Sequence, residues 1–334
     1  MSQDFAAPSS TPPAAGRSAE TRGFSLALAS AVVLSTTAIL IRHLTLTYHI
    51  PPLVLAFWRD VFTASILFVI LRIRRPALSR IALRDFRFFI AYGLILAVFN
   101  SLWTTAVALA GAAISTVLVY TSAGFTVLLG RWLLKERLTF SRILAVGSTL
   151  GGCYLVSGAV DANLWGQSLP GILTGMLSGL CYAGYSLMGR TASKRGFNPW
   201  TTVLYTFGIA ALFLAAFNLL GGGVLPGTAA RPSEFLWLGN AWEGWGILAL
   251  LAAGPTLAGF GLYNMSLCFL PAGVANLVLG LEPVFTTAIA AAVLGERLNA
   301  VQIDGGLLIL GGVALLRVRE ARRAAGTEEE ELPI

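Results

Sequence analysis

Two stretches of this chain put ionisable side chains inside long apolar runs. Glu282 stands in Val278-Leu279-Gly280-Leu281-Glu282-Pro283-Val284-Phe285, and Arg59 and Asp60 stand in Ala56-Phe57-Trp58-Arg59-Asp60-Val61-Phe62. In hydrocarbon such groups are costly unless they are paired or serve a site. A carboxyl group at Glu282 can hold a substrate ammonium or a proton. Pro283 lacks a backbone N–H, so it frees a carbonyl one turn back towards a neighbouring space. The plainer alternative is a hydrogen-bonded carboxyl that locks two helices together. Adjacent helical residues lie about 100° apart, so Arg59 and Asp60 are expected not to face each other. Arg59 then serves as a bridge between helices or as a partner for a substrate carboxylate, and Asp60 as an interhelical partner. Asp304, near the outer end of its run, can reach interfacial water and is set aside.

Polar and aromatic residues at helical spacing mark further faces. Asn100, Trp103 and Thr104 share one, and Thr116, Tyr120 and Gly124 another. Ser178, Tyr182, Tyr185 and Gly189 run down a third, while Tyr263, Asn264 and Asn276 add to the set. Amides, hydroxyls and ring faces at one depth suit a small amphipathic solute, through hydrogen bonds and contact with rings. Each of these residues can equally serve in interhelical hydrogen bonding. The candidate substrate-binding residues are Asn100, Trp103, Tyr120, Tyr182, Tyr185, Tyr263, Asn264, Asn276 and Glu282.

Other chemistries lack their parts. There are two histidines, His43 and His49, and three cysteines, Cys153, Cys181 and Cys268, none at metal or redox spacing. No phosphate-binding glycine loop, dinucleotide fingerprint or calcium loop occurs. No catalytic residue, cofactor or metal is expected.

The elements that position these residues follow from composition. Of 334 residues, 56% are hydrophobic and 12% charged, and the mean hydropathy is +0.76. Soluble domains carry about a quarter charged residues. A soluble enzyme, a nucleic-acid binder and a secreted disulfide scaffold are therefore excluded. Ten apolar segments follow one another: 24–41, 51–71, 88–110, 112–134, 140–160, 169–188, 200–220, 245–270, 272–294 and 300–316. A membrane-crossing helix needs about 20 residues, and no alternation typical of a barrel strand is present. The fold class is an all-α integral membrane protein of ten transmembrane helices. The breaks at Ala110-Gly111 and Leu270-Pro271 are the tightest.

With the N-terminus inside, 19 basic residues fall in inner segments and 3 in outer ones, with Arg59 inside a span. That asymmetry orients both termini to the cytoplasm. The net charge of +7 is thus a topology signal and a contact with anionic lipid, not a nucleic-acid footprint. Residues 1–23 and 318–334 read as a disordered and a charged cytoplasmic tail.

The chain also repeats itself. Shifted by 160 residues, 112–152 matches 272–312 at 11 of 41 positions, including Phe125-Thr126 with Phe285-Thr286 and Leu150-Gly151-Gly152 with Leu310-Gly311-Gly312. Pro52 and Pro199 open the second span of each half. Two five-helix units result, 24–160 and 161–317. Five is odd, so the second inserts upside down, a transporter signature. Gly171, Gly175 and Gly179, and Gly147 with Gly151, form small-residue ridges for close helix packing. Thr139 and Asn299 are expected to cap the fifth and tenth helices, the latter with Gln302.

The repeat, the ten spans, Arg59 in the second span and the run from Leu281-Glu282-Pro283 through Leu294-Gly295-Glu296-Arg297-Leu298 resemble the EamA family of the drug/metabolite transporter superfamily. Within it, the bacterial amino-acid exporters of the YddG kind are the nearest match. The resemblance implies a basket of helices around a central cavity in the bacterial inner membrane, and export of amino acids or similar small metabolites by alternating access. Leu34-Ser35-Thr36-Thr37 departs from the aromatic-glycine pair common in the family's first span. The alternatives are a carrier of nucleosides or drug-like cations, a non-transporting receptor, or an intramembrane enzyme, which the scarcity of histidine disfavours. Proton coupling through Glu282 belongs to the same expectation.

Overall fold

The structure is a computed structural model and describes residues 13–135, 138–156, 160, 169–221, 227–231, 234–235, 238–294 and 300–330. Among the described residues every regular element is helical. The elements are α1 (Pro13–Leu34), α2 (Thr37–Tyr48), α3 (Pro52–Arg74), a 3₁₀ turn (Pro76–Ser79), α4 (Leu83–Tyr120), α5 (Ser122–Leu133) and α6 (Phe140–Val156). Then come α7 (Leu169–Lys194), α8 (Pro199–Gly221), α9 (Trp242–Leu251), a π-helical segment (Ala252–Gly259), α10 (Phe260–Ser266), α11 (Ala272–Leu279), α12 (Glu282–Leu294) and α13 (Ala300–Glu330).

Five helical stretches are long and apolar enough to cross a membrane: Ser18–Tyr48, Pro52–Arg74, Leu83–Ala110, Pro199–Leu220 and Trp242–Ser266. Shorter apolar helices occupy Val117–Leu133, Phe140–Val156, Ala272–Thr286 and Ala300–Leu316. The helices are cut differently from the apolar segments. The expected break at Ala110-Gly111 is absent, and α4 runs 38 residues to Tyr120. Its alanine-rich middle favours helix, and one glycine costs only about 1 kcal/mol. The terminal helices outrun their apolar parts, α1 starting at Pro13 and α13 reaching Glu330. Both extensions carry several alanines and arginines, and the C-terminal one four glutamates, all strong helix formers.

Hydroxyl groups mark one interruption in the first stretch. Between α1 and α2, Ser35 Oγ donates to Val32 O at 2.6 Å and Thr36 Oγ1 to Val33 O at 2.9 Å. Such bonds offer the backbone an alternative to the helical ladder. Pro255 causes another in the eighth segment, where its missing N–H opens the π-helical turn. Hydroxyls from neighbouring helices take the nearby carbonyls: Thr63 Oγ1 donates to Ala252 O at 3.4 Å and Ser30 Oγ to Gly259 O at 2.8 Å.

In a bilayer, lipid is as apolar as a leucine side chain, so helices associate by close packing at small residues. Helix α4 lies along α7, α3 along α8, and α6 along α13. A Cβ built on Gly179 would lie 2.5 Å from Thr121 Oγ1 and 2.9 Å from Leu118 O, so α7 presses on the α4–α5 junction. On α6 the close approach is at Gly152, not at the expected Gly147, which has nothing within 4 Å. A Cβ on Gly152 would lie 2.6 Å from Gly305 O, and one on Gly312 would lie 3.6 Å from Ala145 O. Under the 160-residue shift these contacts exchange places. At the start of α6, the backbone N–H of Arg142 donates to Thr139 Oγ1 at 3.3 Å, the expected cap. The Glu136-Arg137 and Glu296-Arg297 turns and Asn299 lie outside the described residues. Gln302 Nε2 donates to Val156 O at 3.4 Å.

Candidate substrate cavity

Helices four and nine of the apolar series are interrupted at matching places. The first breaks at Thr121, where Thr121 Oγ1 donates to Leu118 O at 2.6 Å. The second breaks at Gly280-Leu281, where Gly280 N donates to Asn276 O at 3.2 Å and Leu281 N to Val278 O at 3.1 Å. Pro283, with no N–H, leaves the ladder one bond short. Thr121 and Leu281 are 160 residues apart. Tyr120 thus ends α4 and Glu282 starts α12, and the two meet: Tyr120 Oη donates to Glu282 Oε2 at 2.6 Å.

Beside this bond lies a cavity lined by Leu34, Thr37, Arg59, Phe99, Asn100, Trp103, Val119, Tyr120, Tyr182, Phe260 and Glu282. It encloses about 540 Å³ of empty space, its mouth included, of which about 50 Å³ admits the centre of a water molecule. The space is narrow, suited to a small solute held closely by its walls. One wall is aromatic: Tyr182 stacks on Phe99 with centroids 5.0 Å apart, and Phe99 lies 6.3 Å from Trp103.

The other wall is polar. Arg59 Nε donates to Asp60 Oδ1 at 3.3 Å, and Asn100 Nδ2 donates to Asp60 Oδ2 at 2.7 Å. The pair is almost wholly buried, its side chains 3% and 0% exposed. Arg59 and Asp60 therefore do face one another, contrary to the helical-wheel expectation. The arginine stem is long enough to fold back across the angle between neighbours. Asp60 also links α3 to α4, as an interhelical partner should.

Of the residues singled out in the sequence, Asn100, Trp103, Tyr120, Tyr182 and Glu282 line the cavity. Tyr185, Tyr263 and Asn264 lie behind Tyr182. The Tyr185 and Tyr263 rings stand 6.1 and 6.0 Å from that of Tyr182. Asn264 Nδ2 donates to Tyr185 Oη at 2.8 Å, Tyr92 Oη to Asn264 Oδ1 at 3.4 Å, and Tyr263 Oη to Ser186 Oγ at 2.7 Å. These buried groups fill the bundle between the cavity and its arginine-rich end. There Arg190 Nη1 donates to Leu267 O at 2.5 Å and Arg195 sits 4.6 Å over the Phe88 ring.

Asn276 is elsewhere, at the crossing of α11 and α5. Its Nδ2 donates to Thr126 Oγ1 at 2.8 Å and Ser122 Oγ at 3.3 Å. Thr104 Oγ1 turns back to Asn100 O at 2.6 Å. The Thr116 side chain lies outside the described residues.

Sequence reasoning did not place Thr37, Phe99 or Phe260 at the cavity. Phe99 and Trp103 are four apart, a signal that was present. Phe260 follows the π-helical segment, which rotates the helix face and hides its period. Among the described residues no cluster of three or more metal-ligating side chains occurs.

The comparisons with known proteins agree with this architecture. An uncharacterised transporter of Archaeoglobus fulgidus is 26% identical over 224 residues, 66% of this chain and 74% of the relative. A probable amino-acid metabolite efflux pump of Salmonella typhimurium is 26% identical over 290 residues, 84% of this chain and 91% of the relative. A solved crystal structure shares the fold, with a TM-score of 0.69 and 19% identity, covering 92% of this chain and 98% of that one. The EamA-like transporter family matches residues 21–158 and 169–318. With its apolar helices, this chain is a multi-pass membrane protein that belongs to the EamA-like transporter family.

Proposed function

We propose that this protein is a secondary transporter that exports amino acids or similar small amphipathic metabolites across a bacterial inner membrane. Ten crossings, both termini in the cytoplasm and two inverted five-helix repeats complete the reading. The observation that carries it is the Tyr120–Glu282 bond beside the cavity. It joins two helix interruptions that stand 160 residues apart. Transporters often place their sites where discontinuous helices from two repeats meet near the bilayer midplane. Relative motion of the repeats then exposes the site to one side and the other. The reciprocal contacts of Gly152 with Gly305 and Gly312 with Ala145 support the same pseudo-two-fold relation.

The cavity suits an amino acid in kind. Glu282 offers an acceptor for an ammonium, and the rings of Phe99, Trp103, Tyr182 and Phe260 offer a surface for an apolar side chain. The name of the Salmonella relative points to the same class.

The test is uptake into proteoliposomes holding this protein alone, screened over amino acids, nucleosides and organic cations, with and without a pH gradient. Saturable amino-acid uptake is expected. Uptake of nucleosides or cations only would replace the substrate class, and no uptake of any would overturn the transport reading. Inversion has its own check. Cysteines placed at Arg137 and Arg297, in a variant without the three native cysteines, are expected to label from opposite faces. Labelling from one face would contradict the inverted repeat.

A further inference from the structure

Three buried polar atoms of the cavity-lining residues have no hydrogen-bond partner: Thr37 Oγ1, Arg59 Nη2 and Asn100 Oδ1. They come from three different helices, α2, α3 and α4, and converge on one space. Buried donors and acceptors are nearly always satisfied, because an unmade bond forfeits the hydration the group had in water. A guanidinium carries five N–H donors in a planar fork that matches a carboxylate. Here Asp60 takes Nε, and its other oxygen already accepts from Asn100. The fork is thus held in place by Asp60 while its Nη2 remains unpartnered.

We infer that Arg59 and Thr37 bind the carboxylate of the substrate, so that this cavity selects solutes carrying an anionic group beside their ammonium. This inference rests on the proposed amino-acid transport and narrows it to the intact amino-acid head group. The Arg59–Asp60 pair is neutral as a unit, so an incoming carboxylate meets a directed donor rather than a bare cation. Thr37 supplies a second donor. Asn100 Oδ1 and Glu282 supply acceptors for the ammonium. A simple amine would satisfy the acceptors and leave Arg59 and Thr37 unpaired. A simple carboxylic acid would do the reverse. Sites built to hydrogen-bond a group discriminate strongly against analogues lacking it, because their own buried atoms are then stranded.

The experiment measures dissociation constants of L-phenylalanine and phenethylamine for the purified full-length protein in lipid nanodiscs. Phenethylamine lacks only the carboxylate. The wild-type protein is expected to bind phenylalanine at least about tenfold more tightly than phenethylamine. Arg59→Gln with Asp60→Asn removes both charges together, which avoids stranding Asp60. That variant is expected to bring the ratio close to one by weakening phenylalanine alone. Thr37→Val leaves the ion pair untouched and is expected to lower the ratio by about threefold. It serves also if the double variant does not fold. Equal wild-type affinities, or a ratio unchanged in Thr37→Val, would overturn the inference while leaving amino-acid transport standing. Failure of the wild-type protein to bind phenylalanine and every amino acid of the transport screen would overturn both.

Discussion

Thr121 and Leu281 occupy matching places in the two halves of the chain, and each interrupts an apolar helix, yet the chemistry around them differs. At the first, Ser122 and Thr126 receive the amide of Asn276 at 3.3 and 2.8 Å. Neutral groups hold α5 against α11, and neither hydroxyl lines the cavity. At the second, the position matching Ser122 is Glu282, followed by Pro283. Its carboxyl group meets Tyr120 and lines the cavity. The same backbone device therefore serves two ends. After the first, Ser122 and Thr126 fasten helices together, and after the second, Glu282 brings a carboxyl group to the cavity beside Tyr120. The two matching places differ at a few side chains, Ser122 against Glu282 above all.

The largest effect is expected at the seat of the first interruption. Gly179→Val places new carbon where a Cβ already falls 2.9 Å from Leu118 O, a backbone atom with little room to move. Overpacking of this kind costs about 1–3 kcal/mol or more. A lower melting temperature and a reduced yield of folded protein are expected, and an unchanged melting temperature would refute the close packing.

Next comes the bond between the interruptions. Tyr120→Phe removes the hydroxyl that fixes Glu282. Amino-acid affinity is expected to fall about tenfold, about 1.4 kcal/mol. Affinity titrations in nanodiscs read this directly, and wild-type affinity would make the bond purely structural. Asn276→Ala is expected to lower stability by about 0.6–2 kcal/mol while leaving affinity per folded molecule unchanged. Denaturation in mixed micelles, paired with binding, separates the two. Ser122→Ala, which removes the weaker of the two acceptors, is expected to cost about 0.6 kcal/mol at most, with normal transport. A loss of affinity in either of the last two would erase the division between fastening and binding.

Much of this contrast was legible in the sequence. The 160-residue repeat, the Glu282-Pro283 pair and the faces bearing Asn100, Trp103, Tyr120 and Tyr182 are visible because each depends on spacing alone. The Arg59–Asp60 pair was not, since a helical wheel tracks where a side chain starts and ignores how far it reaches. The place of Asn276 was hidden for another reason. A polar residue facing a crossing helix and one facing a cavity look alike in one dimension. Phe260 was lost because Pro255 inserts a π-helical turn and shifts the period that a regular helix would show. The helix continuing past Ala110-Gly111 reflects local alanine content, which the apolar pattern does not register.

Glu282 at the second interruption is held to bind the solute, and the contact of Asn276 with Ser122 and Thr126 only to fasten helices. Counterflow of labelled L-phenylalanine into proteoliposomes tests it most directly, with Glu282→Gln and Asn276→Ala measured side by side and normalised to folded protein. Glu282→Gln keeps the side-chain shape and a hydrogen-bonding group. At least about a tenfold loss of counterflow is expected in Glu282→Gln, as for loss of a charged hydrogen bond, and full counterflow in Asn276→Ala. Wild-type counterflow in Glu282→Gln, or equal losses in both variants, would contradict it.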